Sequence, residues 1–176
     1  METIEYRRVG KERDEEILSL LEWWAEMTSK EKHMVTETPE SLEKNVLASV
    51  FAFVDGKVIG ASGIFYARTK KNEKLHHDGM PVVELGSNII DSLYRRNGIG
   101  QTLINKRLDI CKNERWFPVS ISSNPAIHEI FRKLNATPMD NHVLFEKMRD
   151  PLCICEEVND SCNFCPKKEK TGWVFL

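Results

Sequence analysis

The sequence predicts an α/β fold, and three observations carry that expectation. Apolar residues recur at three- and four-residue steps at Ile17, Leu20, Leu21, Trp24 and Met27, the spacing of one face of a helix. Val50–Val54 and Lys57–Tyr66 flank Asp55-Gly56, a pair that supplies the positive φ angles of a type I′ turn and so joins two antiparallel strands. An apolar strand at 82–90 then runs through Arg95-Arg96-Asn97-Gly98-Ile99-Gly100 into a helix.

The other elements follow in order. Ile4, Tyr6 and Val9 between charged neighbours mark a first strand over 3–9, and the helical stripe gives a helix over 12–28 with Asp14-Glu15-Glu16 near its positive end. Residues 29–39 are polar and read as a loop. A short second helix over 41–48 starts through Pro39-Glu40, without a capping box. After the hairpin, 67–80 carries Lys70-Lys71 and His76-His77 and reads as an exposed loop. A helix over 98–112, a strand over 116–122, a helix over 125–134 with Pro125 in its first turn and a last core strand over 143–148 complete the order β-α-α-β-β-β-α-β-α-β. This makes one domain, 1–148, and a short Cys-rich C-terminal appendage, 149–176.

Composition narrows the function. The 176 residues are 41% hydrophobic and 30% charged, as in an ordinary soluble globule. A net charge of −2 gives no support to a nucleic-acid partner, which favours a basic surface. No apolar run approaches the ~18 residues of a membrane span, and Met-Glu-Thr-Ile-Glu-Tyr-Arg-Arg lacks the basic-then-apolar pattern expected of a secretory signal. A cytoplasmic, reducing location is expected. There, a cysteine cluster points to metal or redox chemistry before structural disulfides. Cys111 stands alone in a helix, but Cys153, Cys155, Cys162 and Cys165 lie within thirteen residues and are expected to hold one structural zinc as four thiolates. The C-x-x-C half has ordinary zinc spacing, whereas the C-x-C half needs a bend; disulfides, free thiols or an iron–sulfur cluster are the alternatives. The five histidines show no metal spacing.

The strand–turn–helix at 84–103 carries the most chemistry. Arg95-x-x-Gly98-x-Gly100 lets backbone N–H groups close on a phosphate at a helix start, where unpaired amides and the dipole favour negative charge. Two rival phosphate loops fail. A P-loop needs Lys-Ser or Lys-Thr after the second glycine, and Gln101-Thr102 stands there; a dinucleotide fingerprint needs glycine or alanine at 103, which is Leu103. What remains resembles the GCN5-related N-acetyltransferases (GNAT superfamily), whose signature is [QR]-x-x-G-x-[GA] directly after a strand. Glu84, Leu85, Ile90, Tyr94, Arg95, Gly98, Ile99 and Gly100 fall in step with that family. Ser92 stands for its usual proline, and Arg96 for a common glycine. Downstream, Ser122 to Ala136 resembles the family's strand, Asn-initiated helix and Tyr-x-x-Leu-Gly-Phe ending, with Phe131 for the tyrosine and Asn135-Ala136 for Gly-Phe. The resemblance spans roughly 2–148.

The resemblance implies a mixed, mostly antiparallel sheet flanked by helices, and an N-acetyltransferase that moves acetyl from acetyl-CoA to an amine by direct attack in a ternary complex. It places the coenzyme's pyrophosphate on Arg95, Arg96, Asn97, Gly98, Ile99, Gly100 and Gln101, and its pantetheine on the amides of Asn88, Ile89 and Ile90. The Asn88 N–H falls to the thioester oxygen. Glu84, eleven residues before Arg95, stands where histone-type members keep a general base, and where others merely face solvent or bind the acceptor. Asn124 bonds the coenzyme, caps its helix, or does both. Phe131 cannot protonate a thiolate as the family's tyrosine does. Trp23 and Trp24 read as packing residues, with Trp23 the better placed to line an acceptor pocket. The near-neutral charge favours a small-molecule amine over a protein acceptor; no nucleic-acid or membrane partner is expected, and the oligomeric state stays open, a dimer included. A catalytically weak or inactive CoA-binding regulatory module is the alternative.

Overall fold

The computed structural model describes residues 3–9, 15–31, 34, 36–67, 74–122, 124–138 and 171–175. Among these the elements run β1 (Ile4–Val9), α1 (Glu15–Ser29), α2 (Pro39–Asn45), β2 (Val46–Val54), β3 (Lys57–Tyr66), β4 (His76–His77), β5 (Met80–Ile90), a 3-10 turn (Ser92–Tyr94), α3 (Ile99–Glu114), β6 (Phe117–Ser122), α4 (Pro125–Lys133), β7 (Thr137–Pro138) and β8 (Thr171–Val174). The result is α/β, with a mixed sheet: β5 and β6 pair in parallel, and β1–β2, β2–β3, β4–β5, β6–β8 and β7–β8 are antiparallel. Two compact units divide the chain, Met1–Phe65 with Leu85–Glu114, and Tyr66–Glu84 with Arg115–Leu176. Strand β5 runs through both.

In unit one the strands follow the order β1-β2-β3-β5. Helix α1 buries Leu20, Leu21, Trp24, Ala25 and Thr28, one stripe at helical spacing. It packs on Phe51, Phe53, Val46 and Ala61, with Trp24 edge-on to Phe51 at 5.7 Å between centroids. Asp55 and Gly56 take φ of 48° and 76°, as the hairpin requires. Two expectations need correction. The second helix ends at Asn45 and not at Ala48, because Val46 to Val54 forms a nine-residue strand that is almost wholly buried, and sheet burial outweighs local helix propensity. A capping box is present: Thr38 Oγ1 accepts from the Ser41 N–H, and Ser41 Oγ accepts from the Thr38 N–H, both at 3.1 Å. Serine here does what glutamate or glutamine usually does.

Unit two builds its sheet from the first part of β5 and from β6, β8 and β7 in that order, with β4 on β5. Val82, Phe117, Val119 and Val174 form its core together with Ala67 and Leu75. The segment 67–80 is therefore not simply an exposed loop. Asp78 and Gly79 have φ of 48° and 78° and turn His76–His77 back onto Met80–Pro81, while Leu75 accepts from the Val82 N–H at 2.9 Å. His77 lies 4.4 Å from the Phe117 ring. Residues 171–175, expected within the appendage, contain β8, and Trp173, Val174 and Phe175 are buried. The expected strand at 143–148 and Cys153, Cys155, Cys162 and Cys165 lie outside the described residues. Among the described residues, no helix is long and apolar enough to cross a membrane.

Candidate functional site

The strand–turn–helix falls in unit one. Asp91 follows β5, donates its N–H to Ile59 O at 2.9 Å and accepts from the Leu93 N–H at 3.0 Å, which turns the chain tightly off the strand end. Arg96 and Gly98 then take φ of 67° and 75°. The first helical bond of α3 runs from Thr102 N–H to Gly98 O at 3.0 Å, so the amides of Ile99, Gly100 and Gln101 precede the helical ladder and point from its positive end. A Cβ on Gly98 would meet nothing within 4 Å; space lies open over the turn. Gly100 serves packing. Its Cβ would come 3.1 Å from Ile90 Cδ1 and 3.6 Å from Asn88 Nδ2, so glycine lets the first turn of α3 settle on the end of β5. The two arginines differ: Arg95 donates from Nε to Ile90 O at 3.0 Å and pairs with Glu31 through Nη2, while Arg96 and Asn97 are exposed.

Just upstream, Ser87 has φ of 48°, a strained value for a non-glycine residue within a strand. Side chains from three segments hold it. Trp24 Nε1 donates to Ser87 O at 3.0 Å, Arg107 Nη1 donates to Gly86 O at 3.1 Å and to Gly63 O at 2.9 Å, and Ser87 Oγ donates to Glu37 Oε1 at 3.4 Å. Glu37 also accepts from Ser41 Oγ at 2.6 Å. Next to Ser87, Asn88 Oδ1 is buried without a hydrogen-bond partner among the described residues. Ile89 belongs to the core. Arg107 is buried, and burial pushes its pKa down to about 10; one turn on, burial pushes the Cys111 thiol up to about 12.

In unit two, Glu84 is half-buried on β5 opposite Val119, where the parallel ladder from Val82 to Glu84 ends. Asn124 caps α4, its side chain accepting from the Ala126 N–H at 3.0 Å, and its own N–H donates to Ser122 Oγ at 3.0 Å. Phe131 is buried against Trp173 and Phe175, at 5.9 and 5.0 Å between centroids. His128 lies 2.7 Å from Ser122 O through Nε2 and 5.7 Å from the Trp173 ring.

The structure thus gathers Asn88 to Gln101 on one strand–turn–helix of unit one and carries Glu84, Asn124 and Phe131 on unit two. Sequence reasoning misses Ser87, Glu37, Arg107 and the polar role of Trp24. Signals for two of them exist. Gly86 inside a strand marks a bulge, and Arg107 sits four residues from both Leu103 and Cys111, on the buried face of α3.

The fold is shared with known proteins. Residues 15–135 match the model of the acetyltransferase (GNAT) family. Among solved structures, N-acetylglutamate synthase from Neisseria gonorrhoeae, complexed with coenzyme A and N-acetyl-glutamate, superposes with a TM-score of 0.65 at 10% identity. That match covers 99% of this chain but only 35% of the synthase. A Mycobacterium tuberculosis protein in complex with CoA gives a TM-score of 0.63 at 12% identity over 98% of both chains. A GNAT family acetyltransferase from Brucella melitensis in complex with acetyl-CoA gives 0.58 at 15% identity, covering 78% of this chain and 84% of its own.

Proposed function

Because this chain belongs to the acetyltransferase (GNAT) family, we propose that it transfers acetyl from acetyl-CoA to a small-molecule amine by direct attack in a ternary complex. One observation carries the reading: the open turn at Gly98, φ 75°, directly after β5 and at the start of the 16-residue α3. A diphosphate fits it. The amides of Gly98 to Gln101 meet its oxygens, and Arg96 and Asn97 lie exposed beside them for charge-assisted bonds. Arg95 joins them on leaving Glu31. The amides of Asn88, Ile89 and Ile90 take the pantetheine arm, with the Asn88 N–H on the thioester oxygen, where it stabilises negative charge as that charge develops. Asn124 adds a bond to the coenzyme.

In the reaction Glu84 takes one proton of the incoming ammonium, the free amine forms the C–N bond, the C–S bond breaks with its electron pair leaving on sulfur, and the nitrogen gives up its second proton to solvent as the neutral amide forms. Phe131 offers no proton to that thiolate. A thiol of pKa about 8.5 leaves tolerably as thiolate and takes its proton from solvent. The N-acetyl-glutamate named in the Neisseria complex is in keeping with a small acceptor. Cys153, Cys155, Cys162 and Cys165 hold one structural zinc in the same proposal.

The test is free-thiol release from acetyl-CoA by the purified protein against a panel of amines. Turnover with at least one amine is expected. Tight acetyl-CoA binding without release for any amine would instead support a CoA-binding regulatory module.

A further inference from the structure

We infer that Trp24 is a positioning residue for acetyl transfer: its indole N–H fixes the Ser87–Asn88 peptide and thereby aims the Asn88 amide at the thioester oxygen. The inference rests on the proposed role of Asn88. A trans peptide is planar, with the C=O of one residue and the N–H of the next antiparallel across the bond. Holding Ser87 O therefore sets the direction of the Asn88 N–H. Trp24 Nε1 donates to Ser87 O at 3.0 Å. A hydrogen bond to the carbonyl also polarises the whole peptide unit and makes its N–H a stronger donor.

Packing alone does not account for this tryptophan. Phenylalanine would fill much of the same space against Phe51 and Phe65, but the structure makes specific room for the larger ring. A Cβ on Gly63 would lie 2.7 Å from Trp24 Cη2 and 2.6 Å from Phe65 Cε2, so glycine at 63 admits the far edge of the indole together with the Phe65 ring. The indole is fully buried and cannot swing away from the carbonyl. Its target needs holding, since Ser87 at φ 48° persists only where its surroundings over-determine it. Arg107 on Gly86 O and Glu37 on Ser87 Oγ fix the flanks; Trp24 bonds to the peptide that carries the donor. Burial does not guarantee such a partner, for Trp173 Nε1 is buried with none among the described residues.

The experiment needs no acceptor. Acetyl-CoA labelled with 13C at the thioester carbonyl is added to the full chain, and its infrared carbonyl band is compared free and bound, alongside the Kd for acetyl-CoA. The protein with Trp24 should move the band to lower wavenumber. Trp24→Phe, and the protein carrying 3-benzothienylalanine at position 24, which keeps the bicyclic shape without the N–H, should lose most of that movement and keep Kd within about threefold, since the lost bond is not to the ligand. With an amine active in the panel, kcat should fall about tenfold, less than deletion of an oxyanion donor itself. Should Trp24→Phe fail to fold, the benzothienyl protein carries the test. An unchanged band and kcat in that protein would make Trp24 a packing residue while leaving Asn88 as the donor. No band movement with Trp24 in place would overturn the role of Asn88 and the inference with it.

Discussion

Gly98 and Gly100 stand two residues apart and serve different ends. The first is required for its dihedral angle and the second for its lack of volume. Gly98→Ala should lower stability by about 1 kcal/mol through a strained positive φ, read as a fall in denaturant midpoint. Gly98→Glu should show that loss and also abolish the rise in melting temperature that acetyl-CoA gives, because a carboxylate would occupy the diphosphate position. A full acetyl-CoA shift in Gly98→Glu would remove this turn from the site. Glu84→Gln keeps the shape and removes the basicity. Its rate should fall by about a hundredfold at neutral pH and recover toward alkaline pH as free amine becomes abundant; a pH profile parallel to that of the unsubstituted protein would leave Glu84 structural. Gly98 is legible in the sequence because a glycine pair between a strand and a helix has few uses. Ser87 is not, since nothing in the residue type announces a positive φ and only Gly86 beside it hints at irregular backbone.

Elements were as legible as their local chemistry was complete. Asp55-Gly56 dictates its turn with no help from the rest of the molecule, and α1 announces itself through a buried stripe. Asp78-Gly79 has the same chemistry, yet the charged residues around it mask a strand of only two residues. The start of β2 was illegible for another reason: Val46 to Ser49 has no helix-breaking residue, and only the sheet decides its state. Helix α2 is seven residues long, too short to persist without capping and packing. Thr38→Ala should therefore cost about 1 kcal/mol, measured by chemical denaturation. Thr38→Ser should cost little, because it keeps the accepting oxygen, and equal losses in the two would assign the effect to packing of the Thr38 methyl group.

At the scale of the whole molecule, the order of elements from β1 to α4 is legible in the sequence except for β4, and a mixed sheet is what the family resemblance implies, but β7 and β8 are not legible. Trp173 to Leu176 is apolar enough to suggest packing, and no local signal distinguishes packing from membership of the sheet. The four clustered cysteines precede β8 in the chain. Metal analysis of protein purified without chelator should find about one zinc per chain, and Cys162→Ser with Cys165→Ser should abolish it. Zinc near zero in freshly reduced protein would defeat that part of the proposal.

The position of β8 also bears on how the chain is made. It lies between β6 and β7, and Val119 finds its partner in Val174, so one of the most distant pairings in sequence joins the middle of the sheet of unit two. A ribosome delivers the residues of β6 and β7 long before those of β8. Until Val174 has emerged, those two strands lack the partner that each will hydrogen-bond, and they present unpaired edges of the kind that seek other strands. Unit two closes only once Val174 has been made, whereas every segment of unit one has been made by residue 114. The nascent chain can thus assemble the strand, turn and helix of its candidate site well before its sheet is complete.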